Sequence, residues 1–243
     1  MEMVEGSLGD RMKSYEDKAQ LEKGVVLVRV DGKAFHTWTK NADLERPFDQ
    51  NMHFAMEHAT CKTAMQMQGF RIAYTQSDEA TFLLENLKPE SGAWFDYKIQ
   101  KLASITASMF TLHFNLFMRS RDPLAPGWVP PAYFDARAFS MPVEDAANNF
   151  VWRQQDNTRN IIQALAHKEF GHKAVQNIPS YELATRLYNI GKGPSTLPEW
   201  VRRGTFVVRP EQGNWNIFNE ILTYDEINRL AGLEEQMNAA NNS

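Results

Sequence analysis

The chain has 243 residues, of which 43% are hydrophobic, 23% charged and 12% aromatic, and its formal net charge is -4. This composition excludes a disordered or low-complexity chain, and the acidic balance excludes a protein that coats nucleic acid by bulk charge, although a local basic groove stays open to it. A single cysteine, Cys61, excludes an internal disulfide and a cysteine-based zinc centre, and the absence of a leader pattern and of any apolar run near ~20 residues predicts a cytoplasmic protein with that thiol in its core.

The first β-prone run, Val25 to Val30, lies between Gly24 and the turn signal Asp31-Gly32. Alternation puts Val26, Val28 and Val30 on one face and Leu27, Arg29 and Asp31 on the other, so an otherwise apolar strand ends in an acid beside an arginine. A helix follows, opened by Pro47 and Asp49, phased by Met52, Met56 and Ala59 and stopped at Gly69. "RIAYTQSDEATFLL" predicts a hairpin about Gln76-Ser77-Asp78, although no glycine marks its turn. From Trp94 to about Met118 there is no Pro or Gly and apolar residues keep helical spacing, which predicts a long helix. The prolines of "RDPLAPGWVPP" then break the chain before a strand in "YFDARAFSMP".

Strand, helix, strand, strand, helix, strand is the βαββαβ ferredoxin-like order of the α+β class, with helices on one face of an antiparallel sheet and the other face left open for a ligand. Residues 1–142 are expected to form this unit with an N-terminal extension. Residues 143–243 are expected to form a helical region with a returning strand, packed on it as one unit: one long or two shorter helices from Glu144 to Phe170, a short helix in "IPSYELATRLYNIGKGPSTLP", a final strand in "RRGTFVVRP" and a helix after Ile221 with a frayed end.

That topology brings Asp31 and Asp78 to the same end of adjacent strands, where two carboxylates can hold two Mg²⁺ ions that bridge to substrate phosphates, with the Gly32 carbonyl as a further oxygen and Glu79 as an outer group. The same residues also read as an ordinary turn and a solvated hairpin tip. Arg29, Lys40, Arg46, Lys98 and Lys101 are expected around this place, suited to a triphosphate or, alternatively, to solvent. Arg153, Asp156, Asn157 and Asn160 share one helical face that can read a base or a sugar, with Val151, Thr158, Ile162 and Leu165 turned inward; Arg202 and Arg203 suit RNA phosphates. The six histidines make no zinc pattern, and neither a P-loop nor a Ser, His and acid grouping occurs.

"VRVDGKAFHTWTK", "YTQSDEATFLL", "FDARAF", "WRQQDNTRN" and "RRGT", with "LGDRMKSYE" before them, resemble in order the motifs of the tRNA-histidine guanylyltransferase family of 3′-to-5′ RNA polymerases, over about Leu8 to Pro210. The resemblance implies a polymerase-type palm. It also implies nucleotidyl transfer, in which ATP or GTP activates the 5′ end of a tRNA and an incoming nucleotide's 3′-hydroxyl then attacks it. It places Asp31, Gly32 and Asp78 as metal ligands and Asp31, Asp78 and Glu79 as catalytic residues. Arg29, Lys33, Ala34, Phe35, His36, Arg46, Ser77, Lys98 and Lys101 are implied around the nucleotide, and Arg153, Asn157, Asn160, Arg202 and Arg203 around the RNA. Where tRNA-histidine enzymes carry His-Ile-Asn-Asn, this chain has Thr158-Arg159-Asn160-Ile161, which is closer to the "like" proteins that repair truncated tRNA 5′ ends. A homo-oligomer, tetrameric by resemblance, is expected. The competing readings are a palm-type nucleotide cyclase or signalling nucleotidyltransferase, and a non-catalytic RNA-binding module.

Overall fold

The computed structural model describes residues 19–22, 24–85, 92–120, 129–209 and 214–234; the "LGDRMKSYE" segment, most of the proline-rich break and the expected frayed end lie outside them. The strands are β1 (Val25–Gly32), β2 (Phe70–Gln76), β3 (Glu79–Glu85), β4 (Phe134–Met141), β5 (Thr205–Val208) and β6 (Asn216–Phe218). They form one antiparallel sheet in the order β4-β1-β3-β2-β5-β6. Its first four positions, 4-1-3-2, are the ferredoxin-like arrangement of the βαββαβ order. The helices are α1 (Phe35–Asn41), α2 (Gln50–Ala64), α3 (Ile99–Ser120), α4 (Val143–Phe170), α5 (His172–Val175), α6 (Ser180–Asn189), α7 (Glu199–Arg203) and α8 (Tyr224–Ala231).

The start signal for α2 is physical: the Asp49 carboxylate caps it, accepting from the Met52 N–H at 2.8 Å and from the Glu45 N–H at 3.0 Å. Other boundaries differ from the sequence pattern. The long palm helix begins at Ile99 rather than Trp94, because Phe95 and Asp96 adopt left-handed backbone, both at φ 52, inside a 3₁₀ turn. α1 had no periodic signal, and β5 is followed by one more strand, β6.

Val26, Val28 and Val30 face α2 and α3, packing in one cluster with Met56, Ala59, Phe110 and Phe114. The opposite face is not left open. Val25 and Leu27 are covered by Ala146, Ala147 and Phe150 of α4 and by Ile227 and Ala231 of α8; burying Phe150 alone contributes about 2–3 kcal/mol. α4 is one uninterrupted helix, and its second half forms a further cluster with α6 and α7 through Ile161, Leu165, Leu183, Leu187 and Val201. Between the two clusters the buried Gln154 amide donates to the Leu222 carbonyl at 2.9 Å and accepts from the Leu222 N–H at 2.8 Å, tying the approach to α8 onto α4. Cys61 is half-buried, packed against the edge of the α2–α3 core rather than inside it, and burial pushes its thiol up to about 12. No described helix is long and apolar enough to cross a membrane.

Gly204, between α7 and β5, adopts φ 66 and ψ -163, a region open essentially to glycine, and a Cβ there would lie 2.5 Å from the Tyr74 hydroxyl. That hydroxyl donates to the Arg203 carbonyl at 2.9 Å. Gly204→Ala is expected to lower unfolding free energy by about 2 kcal/mol or more, measured by urea denaturation.

Candidate active site

The site is built by strand register. Asp31, near the end of β1, lies opposite Glu79 on β3 and opposite Asp135 on β4, so their side chains share one face of the sheet. The Gly32 N–H donates to the Asp78 carbonyl at 3.0 Å, which ties the tip of the β2–β3 hairpin to the end of β1. The turn lacks a glycine because Ser77 itself takes the left-handed conformation, at φ 50, and its hydroxyl donates to the Asp78 carboxylate at 3.0 Å. Asp31, Asp78 and Glu79 are thereby brought together.

Burial pushes the Asp78 carboxyl above the ordinary carboxylate range, and the charge of Asp31 adds to the shift against the bonds from Ser77 and the Asp78 backbone. Two acids in this relation call for a cation. No group of three or more His, Cys, Asp or Glu among the described residues has metal-binding geometry. Mg²⁺ does not require such a cage, since it is commonly held by one or two carboxylates, waters and substrate phosphates, and the oxygen donors of Asp31 and Asp78 fit that chemistry.

Glu79 is differently placed. Arg153, whose side chain is only 6% exposed, reaches from α4 to put its Nε 2.9 Å from the Glu79 carboxylate; the contact lies off the N–H axis and is held by charge. Burial raises the Glu79 carboxyl, against the pull of Arg153 and then of Arg29. Gly32 also has a role other than the expected approach of a metal: a Cβ on it would lie 2.2 Å from the Phe35 ring. The Phe35 side chain is core, in tilted and edge-on contact with Trp38, Phe114 and Phe134, so only its backbone can face a nucleotide. Lys33 and His36 are exposed, Ala34 takes φ 53 as the residue before α1, and Arg46 donates to the His36 carbonyl at 3.2 Å. These residues line one loop beside the acidic tip.

Lys98 and Lys101 do not gather there. The Tyr97 hydroxyl donates to the Gly24 carbonyl and the Ile99 N–H to the Ala19 carbonyl, so α3 starts at the far end of β1. Asp31 lies seven positions beyond Gly24, ~23 Å along the strand. Lys98 instead pairs with Asp96 at 3.6 Å, and the Lys101 ammonium lies over the Phe95 ring.

The expected RNA-reading face of α4 is also revised. Arg153 and Asn157 are buried, and the Asn157 amide donates to the Val201 and Arg202 carbonyls, while Thr158, expected inward, is exposed. The helix turns its polar face onto the hairpin and α7 because their unpaired carbonyls and the Glu79 carboxylate require partners. Arg202 and Arg203 are half-buried, bonded to the Leu197 and Asn219 carbonyls and both near Glu199. Asn160 is exposed. It borders a cavity of about 150 Å³ beside the hairpin tip, shared with Asp49, His53, Gln76, Ser77 and Trp200. His53 stacks on Trp200 with ring centroids 4.6 Å apart and is lowered to about 4 by burial, hence neutral at pH 7. In the sequence Asp49 reads only as a helix start and no local pattern marks His53 or Trp200, which meet through tertiary packing.

A family model described as tRNA(His) guanylyltransferase, Thg1, matches residues 9–142. The chain belongs to this family. Its members are nucleotidyltransferases of tRNA processing, and so is this chain. Among solved structures, a bacterial Thg1-like protein in complex with ATP is 34% identical, with a TM-score of 0.84 over 93% of this chain and 99% of that one. A bacterial Thg1-like protein in complex with GTP is 32% identical, with a TM-score of 0.72 over 95% and 97% of the two chains. A probable tRNA(His) guanylyltransferase of Drosophila melanogaster is 26% identical over 82% of this chain and 72% of its own length. The mixed fold of helices on an antiparallel sheet is thus that of a Thg1-type palm.

The raised Asp78 carboxyl has a stability consequence. An acid whose native pKa lies above its unfolded value makes folding less favourable as pH rises between those two values. Without divalent ions, Asp78→Asn is expected to melt higher than the native protein at pH 7. Differential scanning fluorimetry across pH should show this advantage shrinking on acidification, as native Asp78 becomes protonated.

Proposed function

We propose that this Thg1-family chain is an Mg²⁺-dependent 3′-to-5′ nucleotidyltransferase that activates the 5′ end of tRNA or a tRNA-like RNA with ATP or GTP and adds nucleotides to it. The observation that carries the reading is the pair Asp31 and Asp78, joined through the Gly32–Asp78 backbone bond at a hairpin tip where neither aspartate has an ion pair with a described residue. Two bound Mg²⁺ ions would supply neutralisation of the triphosphate and activation of the attacking hydroxyl. Asp31 and Asp78 would hold them, and the Ser77 hydroxyl orients the Asp78 carboxylate. Arg29 on the same sheet face, and Arg46 anchored on the loop that carries Lys33 and His36, offer positive charge to phosphates. The backbone at Ala34 and Phe35 borders the same space.

Thr158, where tRNA-histidine enzymes carry His, supports repair of truncated 5′ ends over strict G addition to tRNA-His. Its hydroxyl donates to the Gln154 carbonyl at 3.2 Å, so it offers no imidazole to a substrate. In repair the opposite RNA strand selects the nucleotide, and the protein needs only to grip shape and backbone; Asn160, Arg202 and Arg203 are the remaining candidates for that grip. A cytoplasmic homo-oligomer is part of the same reading. It is supported by α3, which has no charged residue between Leu102 and Met118 yet exposes Ile105, Leu112 and Leu116.

The test is incubation with 5′-truncated tRNAs and full-length tRNA-His in the presence of ATP, GTP and Mg²⁺. Labelled nucleotide is expected at the 5′ end of truncated tRNA, in preference to tRNA-His. Asp31→Ala and Asp78→Ala are each expected to reduce addition by at least about 100-fold, with RNA binding retained. Binding without extension by the native protein would identify an RNA-binding module, and cyclic nucleotide formed without RNA would identify a cyclase.

A further inference from the structure

Asp31, Asp78 and Glu79 meet at the hairpin tip but are not equivalent; the fourth acid on this sheet face, Asp135 of β4, is exposed and pairs with Arg137 at 3.7 Å. Asp31 and Asp78 have no ion pair with a described residue, whereas Glu79 is met by Arg153. This arginine is not a flexible surface cation. Its guanidinium lies 4.2 Å over the Trp152 ring, donates from Nη2 to Asp156 and approaches Glu79 from Nε. Asp156 is shared, since it also accepts from Arg159 at 2.6 Å. The backbone beneath is fixed as well, because the neighbouring residues Phe150 and Gln154 lock α4 to the sheet and to Leu222. The charged groups that act on Glu79 are therefore Asp31 and Arg29 from β1 and Arg153 and Asp156 from α4, while Asp78 is its neighbour in the chain.

We propose that Arg153 is a positioning residue that partitions the acidic cluster: by holding the Glu79 carboxylate against α4, it leaves Asp31 and Asp78 as the pair that faces divalent cations. This rests on the proposed function. In an uncompensated cluster of three acids, Glu79 would compete for the cation, or its repulsion would displace Asp31 across the strand pair. Because α4 also contributes Asn160 to the cavity beside the tip, the same contact fixes that helix relative to the reacting end.

The full chain is compared as native protein, Arg153→Met, Glu79→Gln and the double variant, with Mn²⁺ binding followed by the electron paramagnetic resonance of free Mn²⁺ and 5′ addition followed with truncated tRNA. Removing the cation frees an anion at the site, so Arg153→Met is expected to bind Mn²⁺ at least about threefold more tightly, with kcat reduced at least about tenfold and the KM for nucleotide changed less. Glu79→Gln leaves the cation unpaired and is expected to weaken Mn²⁺ binding by a similar factor. The double variant removes both charges and is expected to return within about twofold of native Mn²⁺ affinity and to regain most of the lost kcat. Should Arg153→Met fail to fold, recovery of a native melting curve and native Mn²⁺ affinity in the double variant carries the same support. Native Mn²⁺ affinity in a folded Arg153→Met, shifts of the same sign in both single variants, or a double variant no better than Arg153→Met would each overturn the proposal. If the native protein binds no Mn²⁺, or Asp78→Ala binds it equally well, the metal-site reading and this proposal fall together.

Discussion

The register between β1 and β3 is the constraint on which the site depends. With Val28 opposite Phe82 in the buried part of the sheet, Asp31 must stand opposite Glu79, and the Gly32–Asp78 backbone bond closes the end of the ladder. A slip of one residue would turn Val26, Val28 and Val30 away from the α2–α3 core and carry Asp31 to the opposite face. The apolar half of the strand thus sets the position of the acid at its end. The resulting repulsion is tolerated because the core beneath is extensive, with Phe35, Phe110, Phe114 and Phe134 packed together under the loop that follows β1.

α4 joins this end of the sheet to the rest of the molecule. Within little more than one helical turn, Arg153 meets Glu79, Gln154 satisfies Leu222, and Asn157 bonds the last carbonyls of α7. Each side chain is buried and each contacts a different part of the fold, so the helix is a strut between the hairpin, the α7–β5 turn and the approach to α8. The polar residues that look from the sequence like a solvent-facing stripe are instead directed at groups that the fold leaves without partners.

Some of the site was legible because its signals are local. The alternation of valines placed Asp31 on a defined face, and the hairpin pattern placed Asp78 at a tip; with strand order, these two predict proximity. Asp49 announced a helix start through its capping chemistry, which the Asp49–Met52 bond realises. Other assignments failed where local pattern carries no distance information. Lys98 and Lys101 are basic and lie near a helix start, but which end of the sheet that start reaches depends on the path of the chain after β3. The left-handed residues at Phe95 and Asp96, neither of them glycine, redirect that path without a sequence signature.

By itself the sequence determined the α+β class, the βαββαβ order and the two aspartates, because period-2 and helical hydrophobic spacing are properties of neighbouring residues and the ordered motifs identify the family. Tertiary structure alone decided that Arg153 stands beside Glu79 while Lys98 and Lys101 lie elsewhere, that Arg153 and Asn157 are interior struts, and that His53 and Trp200 border the neighbouring cavity. The reason is that burial and pairing of charged groups depend on through-space distances between segments far apart in the chain, set by packing of the helices on the sheet rather than by local conformational preference.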